Sequence, residues 1–210
     1  MSDLLPLFPL PNVVLFPNVF LPLQIFEPRY RQMVADVLEG DRMLGMVLLR
    51  PGWEHDYEGR PPVFPIGCLG VVTHLERIPD GRYNLVLRGI ERFRIVQEDH
   101  SRAYRRASVE PLAETPLLES DRDAVQRHRA RLQALLASGM DQRGVELKTA
   151  SGMPDEDLVN ALAQYLDLEP LERQALLEHD SVCRRAESLA ELLEMKILMA
   201  RTHCVSRITH

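Results

Sequence analysis

The side chains that could form a serine–lysine peptidase dyad are few, because the chain has only two lysines, Lys148 and Lys196. Ser151 lies three residues after Lys148, and Ser188 lies eight residues before Lys196. A dyad requires a desolvated lysine of depressed pKa beside an oriented serine. The stretch VELKTASG around Lys148 is typical of an exposed loop, where a lysine keeps its charge. Neither lysine follows a glycine, so the sequence has no G-x-x-x-x-G-K-[ST] phosphate loop. We predict no catalytic residue.

Histidine and cysteine side chains offer one candidate metal site. His179 and Cys183 are four residues apart and could share one face of a helix, and His203 and Cys204 follow near the end of the sequence. Zinc needs three or four such ligands that converge. About a helix length separates the two pairs, so one helix cannot bring them together. We therefore predict neither a metal ion nor another cofactor, and we interpret Cys183 as a small apolar residue in a helical core.

The segment of residues 50–62 is the strongest candidate for a binding site. Its prolines and glycines predict a loop, and it contains the only tryptophan of the chain, Trp53, together with Tyr57. Loops lie on protein surfaces, and exposed aromatic residues there often serve recognition. We therefore expect Trp53 and Tyr57, with Phe64, to contribute to an apolar peptide-binding surface. The alternative is that Trp53 folds back as a lid over one end of a barrel.

Composition indicates a globular protein of two parts. Hydrophobic residues make up 45% and charged residues 27%, which is ordinary for globular domains. The net charge of −6 argues against a nucleic-acid surface. The most apolar stretch, residues 13–26, is interrupted by prolines and is shorter than the ~20 residues of a membrane-spanning helix. Three widely spaced cysteines imply no disulfide framework, and we expect a cytoplasmic protein without membrane contact.

The proline distribution predicts a β-rich first half, residues 1–111, and a helical second half, residues 112–210. Of the 15 prolines, 12 lie in the first half, and proline interrupts helices and marks turns and edge strands. One early helix is predicted over residues 27–38, where apolar residues recur at helical spacing. The step Pro79-Asp80-Gly81 predicts a hairpin turn, and Gly67 and Gly70 predict a bulge or bend. The predicted strands cover residues 12–17, 19–23, 43–49, 67–75, 83–87, 93–96 and 104–109.

The second half has the start signals of four helices. Ser120 with Asp123 resembles a capping box, Pro154 and Pro170 suit first turns, and Asp180 or Ser181 caps the last helix. The last helix has an amphipathic stripe long enough to form the centre of a small bundle. The predicted fold is therefore α+β: a β-barrel-like curled sheet with one helix, followed by a helical bundle.

Four segments resemble the amino-terminal substrate-binding domain of the Lon protease family. They are PLFPLPNVVLFP at residues 6–17, LPLQIFEPRY at 21–30, GCLGVV at 67–72 and DGRYNLVLRGIERFRI at 80–95. Residues 158–199 are similar to the helical region that closes the same domain. The resemblance implies a small barrel-like unit followed by a helical bundle. It also implies a stand-alone member of the family, without the ATPase and peptidase domains of Lon.

The resemblance implies a non-catalytic module that recognises unfolded or partly folded polypeptide clients, with a possible separate protease as the second partner. The apolar residues of segment 4–10 either form an edge strand of the barrel or stay exposed and pair with a client by strand addition. The alternative function is a stand-alone hydrolase or peptidase with an unidentified site. The oligomeric state, the client and any small ligand stay open.

Overall fold

A computed structural model of the chain describes residues 4–116, 118–139 and 152–207, and within them lie six strands and five α-helices. The strands are β1 (Leu5–Leu10), β2 (Phe20–Ile25), β3 (Met43–Leu48), β4 (Ile66–Arg77), β5 (Tyr83–Asp99) and β6 (Arg105–Leu112). The helices are α1 (Pro28–Glu39), α2 (Glu119–Gly139), α3 (Asp155–Tyr165), α4 (Pro170–Glu178) and α5 (Val182–Arg207).

The six strands form one sheet in the order β2-β5-β4-β3-β1-β6, and β6 also pairs with β5. The β1–β3 pair is parallel and the other pairs are antiparallel. Strand β5 is 17 residues long and pairs with β2 over residues 83–88 and with β6 over residues 92–99. The sheet therefore curls back on itself. The predicted α+β fold, with a barrel-like curled sheet followed by helices, is confirmed.

The chain divides into two compact units. The first, here the sheet unit, comprises the described residues up to Ala113 together with Leu166–Glu178. The second, here the helical unit, comprises the described residues of Glu114–Tyr165 and those from His179 onwards. The domain boundary near residue 111 stays a prediction.

Phe93 lies at the centre of the sheet unit, where it packs with Leu7, Val47 and Ala107. Two glycines make room for its ring. A Cβ atom added at Gly45 would lie 2.7 Å from Cζ of Phe93, and one added at Gly67 would collide with the main-chain oxygen of Met46. Because no side chain fits at these positions, the strands can curl tightly around the Phe93 ring.

The turn between β4 and β5 forms where the sequence predicts it. Gly81 has φ of 85°, a left-handed conformation that glycine adopts without strain, and its N–H donates to the carbonyl of Ile78 at 2.9 Å. The register between β4 and β5 shifts between Leu69 and Gly70. The predicted hairpin and the predicted bulge are both confirmed.

Two predictions about the amino-terminal segment are wrong. Residues 12–17 form no strand. Strand β1 is not an edge strand, because it lies between β3 and β6. Its first residues instead pair with β6 and complete the curl of the sheet. The strand at the open edge of the sheet is β2. Local β-propensity could not distinguish these cases, since pairing partners decide which apolar segment enters a sheet.

Helix α4 belongs to the sheet unit, although it lies between helices of the helical unit in sequence. The side-chain amide of Gln174 donates to the carbonyl of Ile66 at the start of β4, at 3.0 Å. Nη1 of the buried Arg92 on β5 donates to the carbonyl of Leu177 at 3.2 Å. A cation at the last carbonyls of a helix also complements its dipole. These two contacts fix α4 on the sheet.

The helical unit is organised around α5, which packs against α2 and α3. Helix α2 begins at Glu119, one residue before the predicted cap at Ser120, and the Asp121 carboxylate accepts the N–H of Leu118. The predicted cap at Ser181 is confirmed, since its hydroxyl accepts the N–H of Arg184 at 3.3 Å. The apolar residues that are buried in these three helices are Val125, Leu132, Leu136, Leu158, Val159, Leu162, Ala163, Val182, Ala186, Leu189, Ala190 and Leu193.

A fully buried arginine, Arg185, lies inside the helical unit. Its Nη1 donates to Oδ1 of Asn160 at 2.9 Å, and its Nη2 donates to the Glu114 carboxylate at 3.1 Å and to the carbonyl of His179 at 3.2 Å. A buried charge needs such partners to remain ionised in a medium of low dielectric constant. The four groups connect the beginning of the unit to α3 and α5.

We predict that Gly67→Ala lowers the free energy of unfolding by about 2 kcal/mol, because the new methyl group must displace backbone and the Phe93 ring. The measurement is urea denaturation followed by circular dichroism. Gly40→Ala is the matched control, since its nearest neighbour would lie 3.8 Å from the added Cβ. We expect a change of less than about 0.5 kcal/mol there. Equal stability of the two variants would contradict this account of Gly67.

We predict that Arg185→Met lowers the free energy of unfolding by about 3 kcal/mol, because Glu114 and Asn160 lose a buried partner. Arg184→Met is the control at the adjacent position. The Arg184 side chain is 72% exposed and forms only a surface pair with Glu187, so its loss should cost less than about 0.5 kcal/mol. Thermal and urea denaturation of both variants test the difference, and a cost for Arg185→Met no larger than that of the control would refute it.

Candidate functional site

The predicted loop of residues 50–62 is closed at its base and contains one short 3₁₀ helix. The N–H of Arg50 donates to the carbonyl of Pro62 at 2.8 Å, and an isolated bridge pairs Leu49 with Val63. The 3₁₀ helix spans Trp53–Asp56 and follows Gly52, which has a left-handed φ of 90°. The loop therefore has a fixed conformation at both ends, and its tip carries the two aromatic residues.

Trp53 and Tyr57 contact each other edge to face, with ring centroids 5.5 Å apart and an angle of 65° between the rings. The Tyr57 hydroxyl donates to Oε1 of Glu27 at 2.6 Å, and Nη2 of Arg29 donates to the Tyr57 carbonyl at 3.2 Å. The Arg29 guanidinium also lies 5.2 Å from the Tyr57 ring centroid. These contacts hold the loop against the start of α1, and both aromatic side chains are half-buried.

Phe64 lies at the base of the loop and not at its tip. Its N–H donates to the carbonyl of Leu48 at 2.9 Å, and the Arg50 guanidinium lies 5.6 Å from its ring centroid. Within the described part of the chain, Phe64 makes no ring contact with Trp53 or Tyr57. The structure thus brings together two of the three residues that the sequence singled out. Whether any of them binds a peptide stays a prediction.

A small pocket of about 20 Å³ lies beside Tyr57. Three arginines line it: Arg29 from α1, Arg60 from the loop and Arg105 from the start of β6. The residues that complete the lining are Pro9, Tyr30, Leu49, Tyr57, Gly59, Pro61, Ala103 and Tyr104. Sequence analysis missed the arginines and Tyr104, because their positions along the chain show no common spacing.

Arg105 is buried in this pocket and is held by two partners. Its Nη1 lies 3.2 Å from Oε1 of Glu98, and its Nη2 donates to the carbonyl of Pro61. Burial lowers the pKa of Arg105, the Glu98 charge opposes this effect, and the charges of Arg60 and Arg29 add to it. The pocket therefore concentrates positive charge that its own carboxylates only partly compensate.

The tyrosines of the pocket are held in their neutral form. Burial, followed by the hydrogen bond to Asp36, raises the pKa of Tyr104 to about 12. That hydrogen bond joins the Tyr104 hydroxyl to Oδ2 of Asp36 at 2.7 Å. Burial also raises the pKa of Tyr30, whose ring lies 4.6 Å from that of Phe8. Neutral phenols add no negative charge to the pocket.

Two exposed phenylalanines flank the open edge of the sheet. Phe20 is 50% exposed at the start of β2, and Phe26 is 61% exposed just after its end. Phe26 directly precedes Glu27, the residue that binds the Tyr57 hydroxyl. An exposed apolar residue therefore directly precedes, in the sequence, the residue that anchors the Trp53 loop.

The open edge of β2 is interrupted by a proline. The carbonyl of Val19 accepts the N–H of Gly89 on β5 at 2.9 Å. Because the residues of a strand alternate in the edge to which their backbone groups point, Pro22 faces the open side. Proline has no N–H to donate, so it interrupts a regular ladder with another strand.

The remaining candidates for chemistry do not form a reactive site in the described residues. Ser188 and Lys196 lie on α5, where eight residues correspond to about 12 Å along the axis. Ser151 and Lys148 lie outside the described residues, as do the side chains of His203 and Cys204. In the described part of the chain, no three His, Cys, Asp or Glu residues are grouped as a metal site would require. Burial raises the pKa of the Cys183 thiol, which disfavours the thiolate.

Among the described helices, none combines the length and the apolar character that crossing a membrane requires.

Comparison with known proteins identifies the family. A family model described as the ATP-dependent protease La (LON) substrate-binding domain matches residues 4–195. A Lon protease from Paraburkholderia phytofirmans is 30% identical over 206 residues, which cover 93% of this chain and 24% of that protein. Lon protease 1 from Herpetosiphon aurantiacus is 27% identical over 220 residues, which cover 98% of this chain and 26% of that protein. The chain thus spans about a quarter of the length of the curated relatives it matches.

Solved structures agree with this assignment. The crystal structure of a Lon N-terminal domain protein from Xanthomonas campestris superposes with a TM-score of 0.58 at 25% identity, covering 89% of this chain and 96% of the other. The N-terminal domain of a Mycobacterium avium complex Lon protease gives a TM-score of 0.66 at 17% identity, covering 91% and 98%, and shows the fold alone. The chain belongs to the Lon substrate-binding domain family.

We predict that one tyrosine of the native protein ionises near pH 12 and that Tyr104→Phe removes this step. The measurement is a pH titration of tyrosinate absorbance for the wild type and the variant. Since the folded pKa is raised from about 10, this phenol supports stability below pH 10 and loses that contribution as the pH rises through 12. If the absorbance change that Tyr104→Phe removes has its midpoint at pH 10, the buried contact between Tyr104 and Asp36 is contradicted.

Proposed function

We propose that this chain recognises segments of unfolded or partly folded polypeptide and catalyses no reaction itself. The binding site is an aromatic surface formed by Phe26, Trp53 and Tyr57, with Phe64 at its border. The observation that carries the proposal is the match to a substrate-binding domain over residues 4–195. A domain of that family needs a surface that accepts many sequences, and exposed aromatic side chains provide such contacts without a specific pattern of hydrogen bonds.

The geometry of the loop supports this placement. Trp53 and Tyr57 are held in one arrangement by their ring contact and by the Glu27 hydrogen bond, so little conformational entropy is lost when they bind. Phe26 offers an exposed ring at the position that directly precedes Glu27 in the sequence. Burying apolar area of this kind against a client is favourable by roughly 25 cal/mol per Å² before the costs of association.

Contacts to side chains, and not strand addition, are the proposed means of binding. Pro22 interrupts the ladder that a client strand could form along β2, and β1 is already paired on both sides. The exposed Phe20 extends the apolar area at this edge. The backbone of a client that is bound in this way stays accessible to a separate protease. We therefore propose that the protein acts as an adaptor that presents clients to such a protease.

The proposal is tested by fluorescence anisotropy of a labelled, permanently unfolded polypeptide titrated with the protein in the absence of nucleotide. We expect saturable binding with a Kd in the micromolar range, about −8 kcal/mol. Phe26→Ala and Trp53→Ala should each weaken it by about tenfold, because each removes an aromatic anchor. Tyr165→Ala is the control: this residue is 56% exposed and is not part of the proposed surface, so its loss should leave the affinity unchanged.

Circular dichroism establishes that each variant keeps its fold before its affinity is compared. If Phe26→Ala and Trp53→Ala both bind the polypeptide with unchanged affinity, the aromatic surface is not the binding site. An absence of binding by the wild-type protein would overturn recognition of generic unfolded polypeptide.

A further inference from the structure

The small pocket beside Tyr57 has an excess of positive charge. Three guanidinium groups line it, from Arg29, Arg60 and Arg105. Glu27 pairs with Arg29 at 3.0 Å and Glu98 pairs with Arg105 at 3.2 Å. Among the described residues, no carboxylate oxygen lies within 4.0 Å of the Arg60 guanidinium. Two of the three guanidinium groups thus have a paired carboxylate, and that of Arg60 has none within ion-pair distance among the described residues.

Arg60 also has an unused hydrogen-bond donor. Its Nη2 donates to the carbonyl of Arg102 at 2.8 Å, and its backbone N–H donates to Oδ2 of Asp56 at 3.3 Å. Its Nη1 is buried, and no acceptor within the described part of the chain reaches it. An unpaired buried donor is unfavourable, and the cost is greater when the group carries a charge. The guanidinium therefore keeps one N–H whose acceptor must come from outside the described residues.

We propose that this pocket binds a single carboxylate group of the client polypeptide, with Arg60 as the principal partner. The inference rests on the proposed function, since the aromatic surface next to the pocket would hold the rest of the client. Tyr57 belongs to both features: its ring contacts Trp53, and it lines the pocket. A client with an apolar side chain close to a carboxylate would engage both at once.

The lining of the pocket favours an anionic group that offers oxygen acceptors. The planar guanidinium matches a carboxylate, to which it can donate two parallel hydrogen bonds. Pro9, Leu49 and Ala103 contribute apolar walls, which lower the local dielectric constant and strengthen the attraction between charges. The two sources of a carboxylate in a polypeptide are its chain terminus and its Asp or Glu side chains.

The test uses three labelled unfolded peptides of one apolar sequence that lacks Asp and Glu. The first has a free terminal carboxylate, the second has a terminal amide, and the third has the amide and one internal Glu. We expect the wild-type protein to bind the first or the third about tenfold more tightly than the second, as a charge-assisted hydrogen bond predicts. A preference for the first identifies the chain terminus as the source, and a preference for the third identifies a side chain.

Arg60→Gln should abolish this preference and leave the affinity for the amidated peptide unchanged. Arg94→Gln is the matched control, because it removes the same charge from an exposed position of the same unit and should keep the preference. Equal binding of all three peptides by the wild-type protein would overturn the carboxylate site while leaving client recognition intact.

An acetate titration tests the pocket without any client. We expect saturating shifts in the ¹H–¹⁵N NMR spectrum at the amides of Gly59 and Ala103, and we expect Arg60→Gln to abolish them. If acetate binds but no peptide does, the proposed function fails and the site stands. Shifts that do not saturate, or that persist in Arg60→Gln, overturn the inference.

Discussion

Strand β5 is the element on which the sheet unit depends, because it pairs with three other strands. Its first half pairs with β2, its second half pairs with β6, and β4 lies along its other edge. This arrangement requires the sheet to curl around Phe93, whose ring fills the interior where Gly45 and Gly67 leave space.

The curl of the sheet also builds the candidate site. Strand β6 begins at Arg105, which pairs with Leu7 on β1, and this register places Arg105 next to the loop of residues 50–62. The loop in turn rests on the start of α1 through Glu27 and Tyr57. Three segments that are distant in sequence thereby surround one pocket. The aromatic surface and the pocket are separate features that share Tyr57.

The helical unit combines apolar packing with a buried charged network. Its helices bury ordinary apolar stripes, but the fully buried Arg185 connects Glu114, Asn160 and the backbone of His179. A buried ion pair contributes little net stability, because its desolvation offsets its attraction. It does penalise other arrangements, since any packing that separates Arg185 from Glu114 leaves a charge buried alone. We interpret this network as a determinant of how α3 and α5 pack.

Much of the secondary structure was predictable because its causes are local. The hairpin at Gly81, the start of α1 at Pro28 and the cap at Ser181 each depend on a few adjacent residues. Predictions failed where the pairing partners of a segment determine its structure. Residues 12–17 form no strand, and the strand that precedes them lies inside the sheet. Of the site, the sequence indicated the Trp53 loop by its composition, but not the arginines that meet beside it.

The sequence by itself determined the α+β class, the β-rich first half with one early helix, the helical second half and the membership of the Lon substrate-binding domain family, because periodicity, turn residues and motifs are local properties. Only the tertiary structure decided that Arg29, Arg60 and Arg105 surround one pocket and that β2 forms the open edge. Pairing register and burial set these features. Both depend on contacts between residues that are far apart in the chain, and no local pattern encodes them.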